Sequence, residues 1–384
     1  MPNLPTAVVV GVEINGLGVL RSLSFGAMPL IAADQDTCQS TMRTRHGRKV
    51  KLRALSGIVL VEDLLTLAKE LDHKAVLFLT RDESVATVSE YREMLAPHYR
   101  FQLPPHNVIR SLNTKPGFQS IAKQGDFPIP PGVQITCEAD FPKLQNLPYP
   151  CVLKPAERND AYDRQFEKAY KIESEKEVIE LCRRILPIMP DLLVQQWIEG
   201  QEDDIYFVLQ YHPGNGQSPS SFTGRKVWSW PPLVGVTACC GPASSPLLES
   251  LTTRFFEHCQ VEGWAAMEYK RDSQTGNFLM VESTVGRPDM QAEVATFNGT
   301  NLPLAAYFWQ IGQIPPLSKQ SPVVFWRRDW FSEYRAKRLR PISCLPKNAK
   351  IVDGYWRTDD PIPAILDYPK RLFLGVVRRF GKIQ

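Results

Sequence analysis

Three short, nearly unbroken apolar runs open the chain: TAVVVGV (6–12), LIAAD (30–34) and AVLFLT (75–80). Runs of this length, apolar at every position, suit strands covered on both faces, the condition of a parallel sheet wrapped by helices. The intervening and following segments supply those helices: one from about Leu17 after a glycine-bearing loop, then LVEDLLTLAKELD and SVATVSEYREML. Strand, helix, strand, helix predicts an α/β unit over residues 1–110. Its glycines, Gly11, Gly16 and Gly18, stand as GxxxxGxG, so the GxGxxG dinucleotide fingerprint is absent. Ahead of a helix N-terminus they suit either an anion or a tight turn.

The pattern then changes to α+β. Over 111–190 the sequence predicts a small unit with a helix in LNTKPGFQSIAKQG, a short strand in YPCVLKPAE and an amphipathic helix in IESEKEVIELCRRIL. Over 191–320, LLVQQWIEGQEDDIYFVLQYH reads as strand, turn, strand, and FTGRKVWSWP as a return strand. SPLLESLTTRFFEHCQVEG reads as a helix. The Gly/Ser/Pro-rich tip between, HPGNGQSPSS, is expected to close over bound phosphates. Residues 321–384 form a Pro- and base-rich extension with no assigned place. Its end, PKRLFLGVVRRFGKIQ, reads as a packed terminal helix or as a surface docking to a membrane or partner.

Composition narrows the classes. A net charge of +4 over 384 residues does not by itself imply nucleic acid. The start lacks a basic region before its apolar run, so no signal peptide is expected, and no apolar run approaches the ~18 residues of a membrane span. Eight cysteines and six histidines are scattered without CxxC spacing, so a zinc site is not expected. Cys239–Cys240 reads as a buried strand pair. Reduced thiols and a cytoplasmic location are the expectation.

Chemistry concentrates in AAMEYKRDSQTGNFLMVEST (265–284). Glu268 and Glu282 each edge an apolar run, with a polar turn between. Two inward carboxylates on neighbouring strands need a cation. They could be a glycosidase pair, a structural ion-pair network or a divalent-metal site. Lys115 at a helix start, Lys154 ending a strand, and Arg225–Lys226 in a hairpin strand favour metal and polyphosphate, because Mg²⁺ takes hard oxygens and bridges phosphates while lysines and arginines neutralise the rest.

The ordered segments LNTKPGF, PCVLKP, VQQWIEGQEDD, RKVW, GWAAMEYKRD and LMVEST resemble the ATP-grasp superfamily over about residues 6–310, most of all its carboxylate–amine ligase branch of D-aspartate ligase-like proteins. The resemblance implies an ATP-grasp fold preceded by a Rossmann-like pre-ATP-grasp domain. It also implies an ATP-dependent ligase that forms an acyl phosphate, joins it to an amine as an amide or peptide bond, and releases ADP and phosphate. Small-molecule acid and amine substrates and Mg²⁺, with Mn²⁺ as an alternative, follow from it, and a homodimer is compatible with it.

Carried over residue by residue, Lys115 and Lys154 resemble the nucleotide-binding lysines. Gln195, Gln196, Trp197 and Ile198 match the hinge at adenine, and Glu202 the carboxylate on the ribose. Glu268 and Glu282 match the metal ligands. Thr284 stands where the family has asparagine, a weaker neutral oxygen ligand. Arg225 or Lys226 is expected at the triphosphate. Arg287, in VGRPD, is expected at the substrate carboxylate or the transferring phosphoryl group, with an ion pair to Asp289 as the plain alternative. Two other readings stay open: an acyl-phosphate former with a thiol or hydroxyl acceptor, and a degenerate nucleotide-binding regulator.

Overall fold

In the computed structural model, residues 4–156, 160–232, 235–316, 323–339 and 345–380 are described. They form three sheets. The first takes β1 (Ala7–Val10), β2 (Leu30–Asp34), β3 (Arg48–Lys51), β4 (Ala75–Leu79) and β5 (Tyr99–Arg100), all parallel, in the order β3-β2-β1-β4-β5. The expected α/β unit is present. β3, with the sequence RKVK, has no apolar signature because it is a mostly exposed edge strand.

The glycine loop after β1 is explained by close packing. Gly11 has φ +84°, and a Cβ on Gly16 would stand 2.0 Å from the Gly11 carbonyl oxygen, so the helix Ile14–Leu23 starts directly against the loop. Asp34, at the end of β2, accepts the Val12 amide at 2.5 Å, and the Thr80 hydroxyl donates to the Gly11 carbonyl at 2.5 Å.

The second sheet is antiparallel: β6 (Gly132–Ile135), β7 (Cys151–Pro155), β8 (Tyr170–Ile172) and β9 (Leu192–Gln196), in the order β6-β9-β7-β8. The helix Glu175–Ile185 covers it. Ser174 caps that helix, and Val178, Cys182 and Ile185 repeat at helical spacing on the buried face. This sheet has a core of its own, built on Ile135, Leu153 and Val194.

The third sheet has seven strands: β10 (Ile205–His212), β11 (Ser220–Trp230), β12 (Val236–Pro242), β13 (Gly263–Arg271), β14 (Phe278–Val285), β15 (Val324–Arg327) and β16 (Lys350–Asp353), in the order β14-β13-β10-β11-β12-β15-β16. The helix Pro246–His258 covers one face, where Phe255 and Phe256 pack with Val208, Met267 and Tyr269 in a core continuous with the first sheet's. Cys239 and Cys240 are buried in β12, and Cys38, Cys137, Cys151, Cys182, Cys240 and Cys259 are free.

The C-terminal extension proves integral. β15 pairs antiparallel with β12 at Cys239↔Arg327 and Cys240↔Trp326, and β16 pairs parallel with β15. Arg21, on the first helix, is buried with Asp360 at 3.0 Å and donates also to the Gly354 and Tyr355 carbonyls. The last helix runs Ile362–Phe380, and residues 381–384 lie outside the described part.

Candidate functional site

A cavity of about 600 Å³ lies between the second and third sheets, and the first unit contributes Glu13–Asn15 and Thr80–Glu83 to its wall. Strand alternation decides which residues of the third sheet reach it. On β13, the alternating Ala266, Glu268 and Lys270 line the cavity, and Met267 also borders it. Glu268 and Glu282 are direct cross-strand partners, and Thr284 follows two positions along the same side of β14. Two carboxylates facing each other repel, and the structure meets them with ammonium groups. Lys226 on β11 lies 2.6 Å from Glu268 Oε2 and is buried. Burial would lower its pKa, but the charge and hydrogen bond of Glu268, with Glu282 and Asp289 beyond, raise it above the ordinary lysine value.

From the facing sheet, Lys154 on β7 lines the cavity. Burial lowers its pKa to about 8, with the Glu282 and Glu268 charges opposing that shift and the Lys115 and Lys168 charges adding to it. Lys115, the first residue of the helix Lys115–Gln124, donates to the Ala156 carbonyl at 3.1 Å, so the Lys154 strand carries the second lysine's anchor one residue past its end. Gln195, Gln196, Trp197 and Ile198 line the same wall. The Gln196 and Trp197 amides donate to the Pro131 and Pro150 carbonyls, which fixes this segment between the starts of β6 and β7. Gln195 is buried, and its side-chain Nε2 has no partner among the described residues. A buried orphan donor on a cavity wall suits a polar ligand.

Two expected residues, Arg225 and Glu202, are not among the lining residues. Thr223 bonds Glu249 of the covering helix, so Arg225, two residues on, shares that helix-covered face and is not among the lining residues. Lys226 alone of the pair reaches the cavity. Glu202 is also absent from the lining: it is buried, and its carboxylate accepts the Ser229 amide of β11 at 3.0 Å. Arg287 lines the cavity, but its partner is not Asp289. Its guanidinium makes a two-pronged pair with Asp82 of the first unit, at 2.6 and 3.0 Å. Asp289 lines the cavity too, and burial raises its carboxyl pKa against the opposing Arg287 charge.

The hairpin tip at 213–219 does not border the cavity. Gln102 donates to the Pro213 carbonyl at 2.8 Å, and the tip begins only after β10 has run on from Phe207, the partner of Glu268, to its end at His212. Gly235, Val236 and Thr237, at the β11–β12 connection, border the cavity instead. Composition identifies a pliable tip, but only strand register tells which end of a hairpin faces the site. Lys168 and Lys270 are cavity cations that the motifs did not single out. Lys270 follows Glu268 by two residues, and that parity was the available signal. It donates to the Gly200 and Gln201 carbonyls at 3.2 and 3.1 Å.

Among the described residues no three His, Cys, Asp or Glu side chains gather to hold a metal unaided. Two hard carboxylates beside a threonine hydroxyl are nonetheless a fitting donor set for Mg²⁺, which keeps waters and takes its remaining ligands from substrate phosphates. The arrangement therefore supplies oxygen ligands at the centre, lysines around them and an amide-lined wall at one end.

No protein-family model and no curated protein matches the sequence. Solved structures do match. An N5-carboxyaminoimidazole synthetase from Staphylococcus aureus complexed with ADP superposes with TM-score 0.65 at 12% identity, covering 85% of this chain and 83% of that one. The biotin carboxylase domain of the Hydrogenobacter thermophilus 2-oxoglutarate carboxylase, in a complex with Mg-ADP, ADP and bicarbonate, gives TM-score 0.64 at 11% identity, covering 85% and 74%. An L-amino acid ligase from Bacillus licheniformis gives 0.60 at 14%, covering 85% and 80%. At such identities the likeness is one of fold: the chain adopts the ATP-grasp architecture with a Rossmann-like N-terminal domain.

Proposed function

We propose that the protein is an ATP-dependent carboxylate–amine ligase. The observation that carries the reading is the cross-strand pair Glu268 and Glu282, with Lys226 paired to Glu268 and Lys154 and Lys115 lining the same cavity. The fold and the Mg-ADP and ADP complexes of similar structures support it. In this reading the adenine lies against Gln195–Ile198, where the unpaired Gln195 amide offers a donor. Lys154 on the second sheet and Lys115, anchored to the Ala156 carbonyl beside it, neutralise phosphate charge from one wall, and Lys226 from the third sheet. Glu268, Glu282 and Thr284 would hold Mg²⁺, or Mn²⁺ in its place, which offsets phosphate charge when bound.

The γ-phosphoryl group passes to a carboxylate oxygen of the acid, and ADP leaves. An amine then attacks the acyl phosphate, forming the amide and expelling phosphate. Arg287 is held in place by Asp82, so one wall of the first unit presents a guanidinium to the acid or to the moving phosphoryl group. Closure between the second and third sheets excludes water, which competes with the amine.

The test is a screen of acids and amines with ATP and Mg²⁺, read for nucleotide product and adduct mass. ADP, phosphate and a new amide are expected. AMP with pyrophosphate overturns the reading. An ADP-forming reaction that takes only thiols or hydroxyls keeps the phosphoryl step and replaces the acceptor.

A further inference from the structure

We propose that the C-terminal helix Ile362–Phe380 docks the protein on an anionic membrane surface. A helix on a globular protein ordinarily buries its apolar face. Over residues 362–372 this one does the reverse. Its packed side is Ala364, Asp367, Tyr368 and Arg371. Ala364 is fully buried, Tyr368 bonds Asp353, Asp367 accepts from Ser40 at 3.3 Å, and Arg371 bonds Asp367, Asp329 and Tyr355. The opposite side carries Ile362, Ile365, Leu366 and Leu372, exposed at 50%, 54%, 39% and 54%. With the exposed Pro369 between, they recur at i, i+3, i+4, i+7 and i+10, a continuous apolar stripe. As sequence, the spacing continues at Phe373, Val376 and Phe380.

Charge selects the occupant. After Asp367 the chain has no acidic residue and five basic ones, Lys370, Arg371, Arg378, Arg379 and Lys382. Residues 323–384 hold fourteen lysines and arginines against six aspartates and glutamates, although the whole chain is only +4, so the rest of the protein is net acidic. An exposed apolar stripe beside cations is the pattern of a helix lying in the headgroup plane, its apolar face in the acyl boundary and its cations on anionic lipid. The neighbouring helix Trp330–Leu339 reaches this one through the Phe331–Tyr368 ring contact, and it exposes the stacked pair Trp330 and Tyr334, at 45% and 51%. Aromatic rings of this kind favour the membrane–water interface. Among the described residues no helix is long and apolar enough to cross a membrane, so the contact is with the surface.

The full chain is sedimented with vesicles of phosphatidylglycerol and phosphatidylcholine in equal parts, and with pure phosphatidylcholine. The double variant Ile365→Asp/Leu372→Asp, at exposed positions, is compared after circular dichroism shows it folded. Lys370→Gln, a second variant at an exposed site, guards against misfolding of the first. Wild type is expected to partition onto the anionic vesicles and far less onto neutral ones. The double variant loses partitioning, and Lys370→Gln weakens it about fivefold, the worth of one cation near the surface. Wild type remaining in the supernatant, or both variants partitioning like wild type, overturns the proposal. A dimer on size exclusion that the double variant dissociates, with no vesicle binding, assigns the stripe to a second copy and overturns it equally.

Discussion

If Lys154 meets phosphate as proposed, its burial makes nucleotide binding pH-sensitive. In the free protein burial lowers its pKa to about 8, from the ordinary 10.5, despite the nearby Glu282 and Glu268 charges. Below pH 8 the side chain is an ammonium ready to meet phosphate, and above it the amine is neutral. Bound phosphates favour the charged form and return the pKa toward its ordinary value. Binding above pH 8 must therefore take up a proton, and affinity falls as pH rises. Between pH 7 and pH 9 the fall is about tenfold, or ~1.4 kcal/mol, for one group moved by one unit past its pKa. The phosphates contribute little to this window, since they are ionised already.

The assay is calorimetric titration of ATP with Mg²⁺ at pH 7, 8 and 9, repeated in buffers of different ionisation enthalpy to count protons. Lys154→Arg is the control, because a guanidinium stays charged throughout. It should bind with nearly constant affinity over the same range. A flat profile in wild type, or the same decline in Lys154→Arg, would refute a phosphate-side role for Lys154.

Other consequences are as direct. Glu268→Gln and Glu282→Gln should each abolish turnover while circular dichroism and thermal melting show the fold retained, and normal phosphate release in either variant would contradict the metal assignment. Arg21→Met should destabilise the protein by about 3–5 kcal/mol in denaturant melts, because Asp360 would stay buried without its cation. Asp82→Asn should raise KM for the acid more than it lowers kcat, since Arg287 would keep its charge but lose its anchor. An unchanged KM would make that pair structural only.

The sequence disclosed what short-range pattern can carry. LIAAD and AVLFLT announced buried strands because a parallel sheet covered on both faces needs apolar residues at every position, and β2 spans Leu30–Asp34 as expected. Cys239–Cys240 was legible as a buried pair because the scattered cysteines lack the CxxC spacing of a ligand set. The extension was not legible. β15 meets β12 some 90 residues away in sequence, and no local propensity reports such a pairing. Face assignment stayed open where one residue of parity decides it. Arg225 and Lys226 are adjacent cations, and a register irregularity follows directly after Lys226, so only the folded strand tells which one meets Glu268. Glu202 had the expected spacing after Gly200, but its oxygen is taken by the Ser229 amide, a contact that depends on tertiary packing.

Titration of ATP into the wild-type protein with and without Mg²⁺, beside Glu282→Gln under the same conditions, tests the central claim most directly. The account predicts that ATP binds, that Mg²⁺ tightens binding to wild type, and that this gain disappears in Glu282→Gln. Failure of ATP to bind, or a Mg²⁺ effect equal in both proteins, would contradict a nucleotide–metal site built on the Glu268–Glu282 pair.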